Sequence, residues 1–490
     1  MKDVLILPHN NTYLSVQTEH QHILQEISYF FTIEIPNAEF MRRQSRYKYW
    51  DGKLRLFNTK KKLLYVGLLS NLVEFLKEKN YTFTVDISFK PETHTEPVYE
   101  TLIGKLNLPY EPRHYQRNAF DICVHQKRSV ILSSTGSGKS LIIYMLIRHF
   151  EHKKILLVVP TISLTVQMYN DFKEYSKNDS SWDVDDNVHL ISGGIQKDSD
   201  KDIYISTWQS VFNLPKEYFE KFDVLMVDEV HGAASSSLRR IGDSCVNADH
   251  RFGFTGTLQD TETHQLVIQG IFGDVNRVSE TKELQNEGIL SDIKINMVML
   301  KYNHEERHMV SRLDYSSEMD FLCDHEKRNK FLIALIRKNN DRNVLLLTPY
   351  VEKHGKILYE MLQGSDSDQT VFFLHAETPK EKREEIRNYI EEHTGVVLIA
   401  TYGLMSTGVN IKNLHSIIFA IAGKSKIRNL QSIGRGLRLH DSKEYLVLYD
   451  VLDDLTHKGK MNYSLKHAQE RFKQYLQEHF LVSTKEVDLR

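Results

Sequence analysis

Two short stretches carry the residue types that handle a polyphosphate. Residues 133–140 read SSTGSGKS, between the apolar run SVIL and the helical pattern LIIYMLI. Gly136 and Gly138 let the backbone wrap closely, so that N–H groups and a helix N-terminus face phosphate oxygens. Thr135, Gly136, Ser137 and Gly138 are expected to form that cradle, Lys139 to reach the β- and γ-phosphates, and the Ser140 hydroxyl to bind Mg²⁺. Ser133 stands where Gly or Ala is more usual, and is small enough to fit. The second stretch, DVLMVDEVH, is an apolar strand that ends in Asp228 and Glu229. At the carboxyl edge of a parallel sheet, Asp228 would hold the Mg²⁺ and Glu229 would orient and deprotonate an attacking water. Paired acids at a strand end are often only a solvated turn, but here a phosphate loop precedes them.

Upstream, RHYQ supplies Gln116, whose amide donates and accepts at once, as the edge of adenine requires. ATP with Mg²⁺ is therefore the expected cofactor pair. Far downstream, QSIGRGLR spaces Arg435 and Arg438 three apart, on one face of an expected helix, where two guanidiniums can converge on one anion. That half of the chain has no glycine-rich phosphate loop of its own. Its arginines are expected to meet the γ-phosphate when two domains close, and such an arginine finger is worth roughly 10³–10⁵ in rate. The competing reading is a solvated surface pair. About twenty residues earlier, ATYGLMSTGVN reads as a strand and a small-residue loop, in which Ser406, Thr407 and Gly408 would offer hydroxyls and N–H groups to phosphates.

The elements that must position these residues are legible as two series of β-branched runs alternating with amphipathic stretches, the pattern of parallel sheets with crossover helices. SVILSS, KILLVVP, DIYIST and DVLMVDE form the first series; NVLLLTPY, TVFFLHAE, GVVLIATY, HSIIFAIAG and EYLVLYD form the second. The chain has 490 residues, more than one core usually supports. Residues 87–112 hold four prolines and read as a linker. The expected layout is a small α+β module at 1–95, α/β domains at 96–285 and 286–455, and a helical extension at 456–490 carrying Ala468, Phe472, Tyr475, Leu476 and Phe480 at helical spacing. The composition, 41% hydrophobic and 26% charged, is that of an ordinary globular protein. Three scattered cysteines fit neither a disulfide framework nor a zinc site, and no apolar run is long enough to span a membrane, so a cytoplasmic protein is expected.

One segment stands out against a net charge of −2. Residues 42–62, RRQSRYKYWDGKLRLFNTKKK, gather nine Lys and Arg around one Asp, with Tyr47, Tyr49, Trp50 and Phe57 between them. Basic side chains give sequence-independent affinity for a phosphate backbone, and interleaved aromatics stack on bases. Arg42, Arg43, Arg46, Lys48, Lys53 and Arg55 are the expected nucleic-acid contacts, with Lys60, Lys61 and Lys62 also available. The alternative is that LRLF and LLYVGLL are strands whose aromatics form the module's core, and Trp50 and Phe57 are expected to be core.

Taken in order, these motifs resemble those of the superfamily 2 helicases over roughly residues 108–455. RHYQ resembles the adenine-reading glutamine motif, SSTGSGKS motif I, PTISLTVQ motif Ia, STWQS the next strand-end motif and DEVH motif II. TGT at 255–257 resembles motif III, ATYGLMSTGVN motif V and QSIGRGLR motif VI. DEVH in place of DEAD, TGT in place of SAT, and Gln431 where an RNA-remodelling helicase has His point to DNA. With RYKYWDGKLRL, GRGLRLH and FGFTGTL, the chain is most similar to the phage recombination and repair helicases of the UvsW type. The resemblance implies two RecA-like domains and ATP-driven 3′ to 5′ unwinding of branched or forked DNA, with recombination or single-strand-binding proteins as partners. It gives Gln431 a place in the catalytic set and sets Thr161, Gln167, Thr207, Gln209 and Thr401 against nucleic acid, contacting backbone without reading bases. Two other functions remain open: a motor that translocates on duplex DNA without separating strands, as in a restriction-type complex, and a binding module switched by ATP.

Overall fold

The structure, a computed structural model, describes residues 2–35, 38–42, 50–86, 88, 98–191, 196–232, 235–258, 262–364, 369–406, 411–423 and 426–489. It divides into two compact units, Met1–Ser133 with Gly138–Ser279, and Ser134–Ser137 with Glu280–Arg490.

The first unit begins with a small mixed sheet. Its strands are β1 (Val4–Pro8), β2 (Tyr13–Gln17), β5 (Leu63–Tyr65) and β6 (Phe83–Val85), in the order β5-β2-β1-β6; β3 (Thr32–Glu34) and β4 (Lys53–Arg55) pair separately. Strict alternation in β1 and β2 buries Val4, Ile6, Leu14 and Val16. Helices Gln21–Phe30 and Leu69–Glu78 cover that face with Ile23, Leu24, Ile27, Leu72, Phe75 and Leu76. LRLF contributes only Leu54 and Arg55 to a strand. LLYVGLL turns helical after Tyr65, because the apolar positions 68, 72, 75 and 76 follow the helical period.

The second sheet of this unit is wholly parallel. Its strands are β7 (Arg128–Ser133), β8 (Ile155–Val159), β9 (Val188–Ile191), β10 (Ile203–Thr207), β11 (Val224–Asp228), β12 (His250–Thr255) and β13 (Val275–Ser279), in the order β13-β7-β12-β11-β8-β10-β9. Strands β8, β10 and β11 are buried along their whole length, which is why they read as continuous apolar runs. Within the supposed linker, Val98–Leu106 is a helix that buries Tyr99, Leu102 and Leu106 against the core beneath this sheet. The flanking prolines mask that helical spacing in the sequence.

The small module shares one hydrophobic core with the large sheet of its unit: Tyr65, Leu68 and Phe75 lie in the same cluster as Ile241, Ile268 and Phe272. Buried Arg251 fixes the joint, donating to the carbonyls of Gly242 (2.9 Å), Cys245 (2.6 Å) and Ala248 (3.1 Å) and to Thr12 Oγ1 (2.7 Å). Tyr13 Oη donates to Asp243 at 2.9 Å. A Cβ on Gly67 would stand 2.0 Å from the Gln269 carbonyl and 2.7 Å from the Gly273 nitrogen, both backbone atoms that cannot swing aside. Gly67→Ala is expected to force module and sheet apart and to cost about 1–3 kcal/mol or more of stability, read by denaturant unfolding; unchanged stability would show that the joint tolerates the methyl group.

The second unit is another wholly parallel sheet. It contains β14 (Asp292–Lys301), β15 (Val344–Thr348), β16 (Thr370–Leu374), β17 (Val396–Thr401), β18 (Ser416–Phe419), β19 (Tyr445–Asp454) and β20 (Leu481–Asp488), in the order β16-β17-β15-β18-β19-β14-β20. All five runs read from the second sequence series are strands. The C-terminal helix is Tyr463–Gln477; it buries Ala468 and Tyr475 but leaves Phe472 and Leu476 exposed. The chain then adds the edge strand β20, which pairs with β14 and was not legible because LVSTKEVD is mostly polar and exposed.

Two charged pairs are sealed into this unit. Arg328 meets Asp453 at 2.8 Å and Arg471 meets Asp450 at 2.7 Å, all four side chains at most 1% exposed. Among the described residues, no helix is long and apolar enough to cross a membrane.

Candidate active site

Strand β7 delivers the chain into the glycine-rich turn, and helix Lys139–His149 leaves it. Gly136 and Gly138 have φ of +88° and +81°, conformations in which a side chain would be strained, so the two glycines are what lets the turn close. Gly138 sits at the N-cap of the helix, leaving the first N–H groups of Lys139 and Ser140 open to an anion. Lys139 Nζ donates to the Ser133 carbonyl at 3.3 Å and lies 4.0 Å from Glu229 Oε1. The Ser140 hydroxyl is 2.8 Å from that of Tyr175.

Strand β11 ends at Asp228, and Glu229 turns the chain with φ of +49°. This left-handed geometry costs a non-glycine residue on the order of 1 kcal/mol or more, and it aims two consecutive carboxylates at the same turn. Asp228 is buried, with Oδ1 accepting from the Glu229 N–H at 2.9 Å. Burial, followed by repulsion from Glu229, pushes its carboxyl up to about 7, against the pull of Lys139. Two acids thus share one nearby lysine, and a cation at Asp228 would favour its ionised form.

Gln116 places its amide beside the loop. Its Nε2 donates to the Gly138 carbonyl at 3.3 Å, and its Oε1 accepts from Arg113 N–H at 2.8 Å, capping helix His114–Gln126. Lys139, Ser140, Asp228, Glu229 and Gln116 are therefore all gathered around the carboxyl ends of β7 and β11.

Sequence reasoning missed the connection behind Glu229. His231 is buried, its Nδ1 lies 3.3 Å from Glu229 Oε2, and the same nitrogen hydrogen-bonds Thr255 Oγ1. Thr255 Oγ1 in turn donates to the Thr257 carbonyl at 2.7 Å. Burial lowers the His231 pKa, favouring a neutral ring. DEVH and TGT are thus joined through one imidazole, and the His of DEVH was the available signal.

In the second unit the arginine reading needs correction. Helix Lys426–Gly436 carries Arg435 but stops before Arg438, which pairs with Leu290 in an isolated bridge. Gly436 and the turn at Leu437 end the helix, so Arg435 and Arg438 do not share a helical face. The side chains of Arg435 and Gln431, and Gly408 altogether, fall outside the described residues.

The expected nucleic-acid contacts are placed unevenly. Thr161 caps helix Ile162–Ser176 through the Leu164 N–H, Gln167 is half-buried on that helix, and Gln209 is exposed. Thr207 departs from expectation: it is 2% exposed, with its hydroxyl accepting from Ser210 N–H, because the strand end needs an N-cap for helix Trp208–Val211. Thr401 is the half-buried last residue of β17. In the small module, Phe57 is core, whereas Trp50 is half-buried and donates to the Lys53 carbonyl. Arg42, Arg55, Lys60 and Lys61 are exposed; Lys53 pairs with Glu34 at 3.6 Å and Arg55 with Asp51 at 2.5 Å. Arg43, Arg46 and Lys48 lie outside the described residues.

Three family models match in chain order. The one described as DNA helicase UvsW, N-terminal, covers residues 3–86; Type III restriction enzyme, res subunit, covers 109–260; and Helicase conserved C-terminal domain covers 327–440. The ATP-dependent DNA helicase uvsW of Enterobacteria phage T4 is 31% identical over 99% of this chain and 100% of its own length. The DNA 3'-5' translocase XPB2 of Sulfurisphaera tokodaii is 24% identical over 75% of this chain and 88% of its own. The crystal structure of T4 UvsW matches 100% of both chains with a TM-score of 0.51 at 30% identity.

Proposed function

Because the chain belongs to the UvsW family of ATP-dependent DNA helicases, we propose that it acts on branched DNA, migrating junctions, regressing forks and unwinding D-loops or R-loops in recombination, replication and repair. The observation that carries this reading is the small basic module built into the same core as the nucleotide-binding sheet. A motor gripping one arm of a junction needs a grip that moves with its ATP-binding domain, and Arg251 and Gly67 make this joint stiff.

In the nucleotide site, the cradle of residues 135–138 and Lys139 would hold the phosphates. Glu229 would take the proton of the attacking water. Mg²⁺ fits the residues present: Ser140 and the buried Asp228 would hold it, and it would supply charge neutralisation to the phosphates. Among the described residues no three His, Cys, Asp or Glu converge as a metal cage.

Removing the module would expose its apolar joint, so charge substitution is the better test. Replacing Arg42, Lys60 and Lys61 together by Gln is expected to weaken four-way-junction binding and lower the salt slope by about 0.9 for each phosphate that is no longer neutralised. An unchanged slope would remove the module from the DNA interface. The match to a restriction subunit over 109–260 favours the rival reading, a duplex translocase that separates no strands.

A further inference from the structure

Lys443 lies in the hairpin between the arginine-bearing helix and β19, and it is not part of any motif recognised above. Its ammonium donates to three backbone carbonyls: Gly436 at 2.7 Å, Lys412 at 2.8 Å and Leu414 at 2.9 Å. Gly436 is the last residue of the helix that carries Arg435. Lys412 and Leu414 belong to the segment leaving the STGVN loop. One side chain therefore satisfies an open carbonyl at the helix C-terminus and two from the other segment, matching its three donors one to one.

We propose that Lys443 is a positioning residue for ATP hydrolysis, coupling the exit of the STGVN loop to the end of the arginine-bearing helix so that the two segments hold one geometry. This rests on the helicase reading of those segments. The surroundings support a dedicated bond. Glu391, on helix Lys380–Glu392, accepts from the backbone N–H groups of Lys412 (2.7 Å) and Asn413 (3.0 Å), clamping the same segment from its other side. Asn413 Oδ1 accepts from Ser442 Oγ at 2.6 Å, holding the hairpin itself in place.

The tie is sensitive to pH. Burial, opposed by Glu391, lowers the Lys443 ammonium to about 8. The other titratable and charged groups facing this cluster are His415, Arg342 and His440, with His415 Nε2 3.1 Å from the Ser442 carbonyl and His440 Nδ1 2.8 Å from its hydroxyl. Burial lowers His415, so its ring is neutral where Lys443 titrates. A neutral amine donates only two hydrogens, so one of the three carbonyls is released above that pH. Because the folded pKa lies below the unfolded one, this group's contribution to stability rises with pH while its positioning is lost. Activity and stability therefore move in opposite directions.

The test is the pH profile of kcat for DNA-stimulated ATP hydrolysis by the full chain, its K443M and K443R variants, with stability followed alongside. If only the ammonium form positions the segments, wild-type kcat falls about eightfold between about pH 7.5 and about pH 9, from titration near 8. K443M is expected to be slow and flat across that range with its KM for ATP little changed. K443R, charged throughout, is expected to regain activity without the alkaline fall. Wild-type kcat with the same alkaline fall in K443M would overturn the proposal. If neither variant folds, hydrogen exchange on the wild type decides: amides of 411–414 and 434–437 should lose protection above about pH 8 after correction for intrinsic rates, and unchanged protection would overturn it. A wild-type chain with no DNA-stimulated hydrolysis would instead sink the functional reading.

Discussion

Glu229→Gln is expected to leave nucleotide binding intact and to cut ATP hydrolysis by about 10²–10⁴-fold, the usual contribution of a positioned general base. The substitution keeps size and hydrogen bonding but removes the proton acceptor. Three observations bear on it. The left-handed turn at Glu229 fixes the direction of its side chain, His231 backs the second carboxylate oxygen at 3.3 Å, and Lys139 stands 4.0 Å from the first. Losing the carboxylate also removes the repulsion on Asp228, so nucleotide affinity should hold or improve. ATP turnover beside equilibrium nucleotide binding checks both halves. Hydrolysis within tenfold of wild type would mean that Glu229 is not the base.

Arg471→Met is expected to have the largest effect on stability, about 3–5 kcal/mol, because it leaves a carboxylate buried without its counter-ion. Arg471 grips both oxygens of Asp450 at 2.7 and 2.8 Å and also donates to the Ala422 carbonyl at 2.8 Å, while Tyr475 Oη donates to Asp450 at 2.9 Å. The pair joins the C-terminal helix to β19 and, at Ala422, to the segment after β18 that leads towards the arginine-bearing helix. Adding Asp450→Asn to Arg471→Met should recover part of the loss, since no charge is then stranded. Denaturant unfolding of the single and double variants reads this directly. A single-variant loss below about 1 kcal/mol would show the site to be wetter than its burial implies.

What the sequence made legible was local. Continuous apolar runs, a glycine turn and acids at a strand end depend on neighbours a few residues apart, and β7, β11, Gly138, Lys139, Asp228 and Glu229 stand together as read. What it hid depends on partners distant in the chain. Arg251 meets Thr12 across 239 positions, and Lys443 reaches Lys412 across 31. Neither has a local signature, because an Arg near a strand start or a Lys in a hairpin looks solvated until the carbonyls around it are known. The helix end at Gly436 was misread for a related reason: QSIGRGLR keeps its polar spacing past the glycine, but the backbone turns there. β20 was lost because an exposed edge strand carries no apolar alternation.

The central claim, that nucleotide hydrolysis in the first unit powers strand separation at branched DNA, is tested most directly by strand displacement on labelled forked and four-way DNA. ATPase stimulation on plain duplex is measured in parallel, with the Glu229→Gln chain as control. The account predicts ATP-dependent release of strands from the branched substrates, absent in the control. ATPase stimulated equally by plain duplex, with no strand released from any substrate, would contradict it.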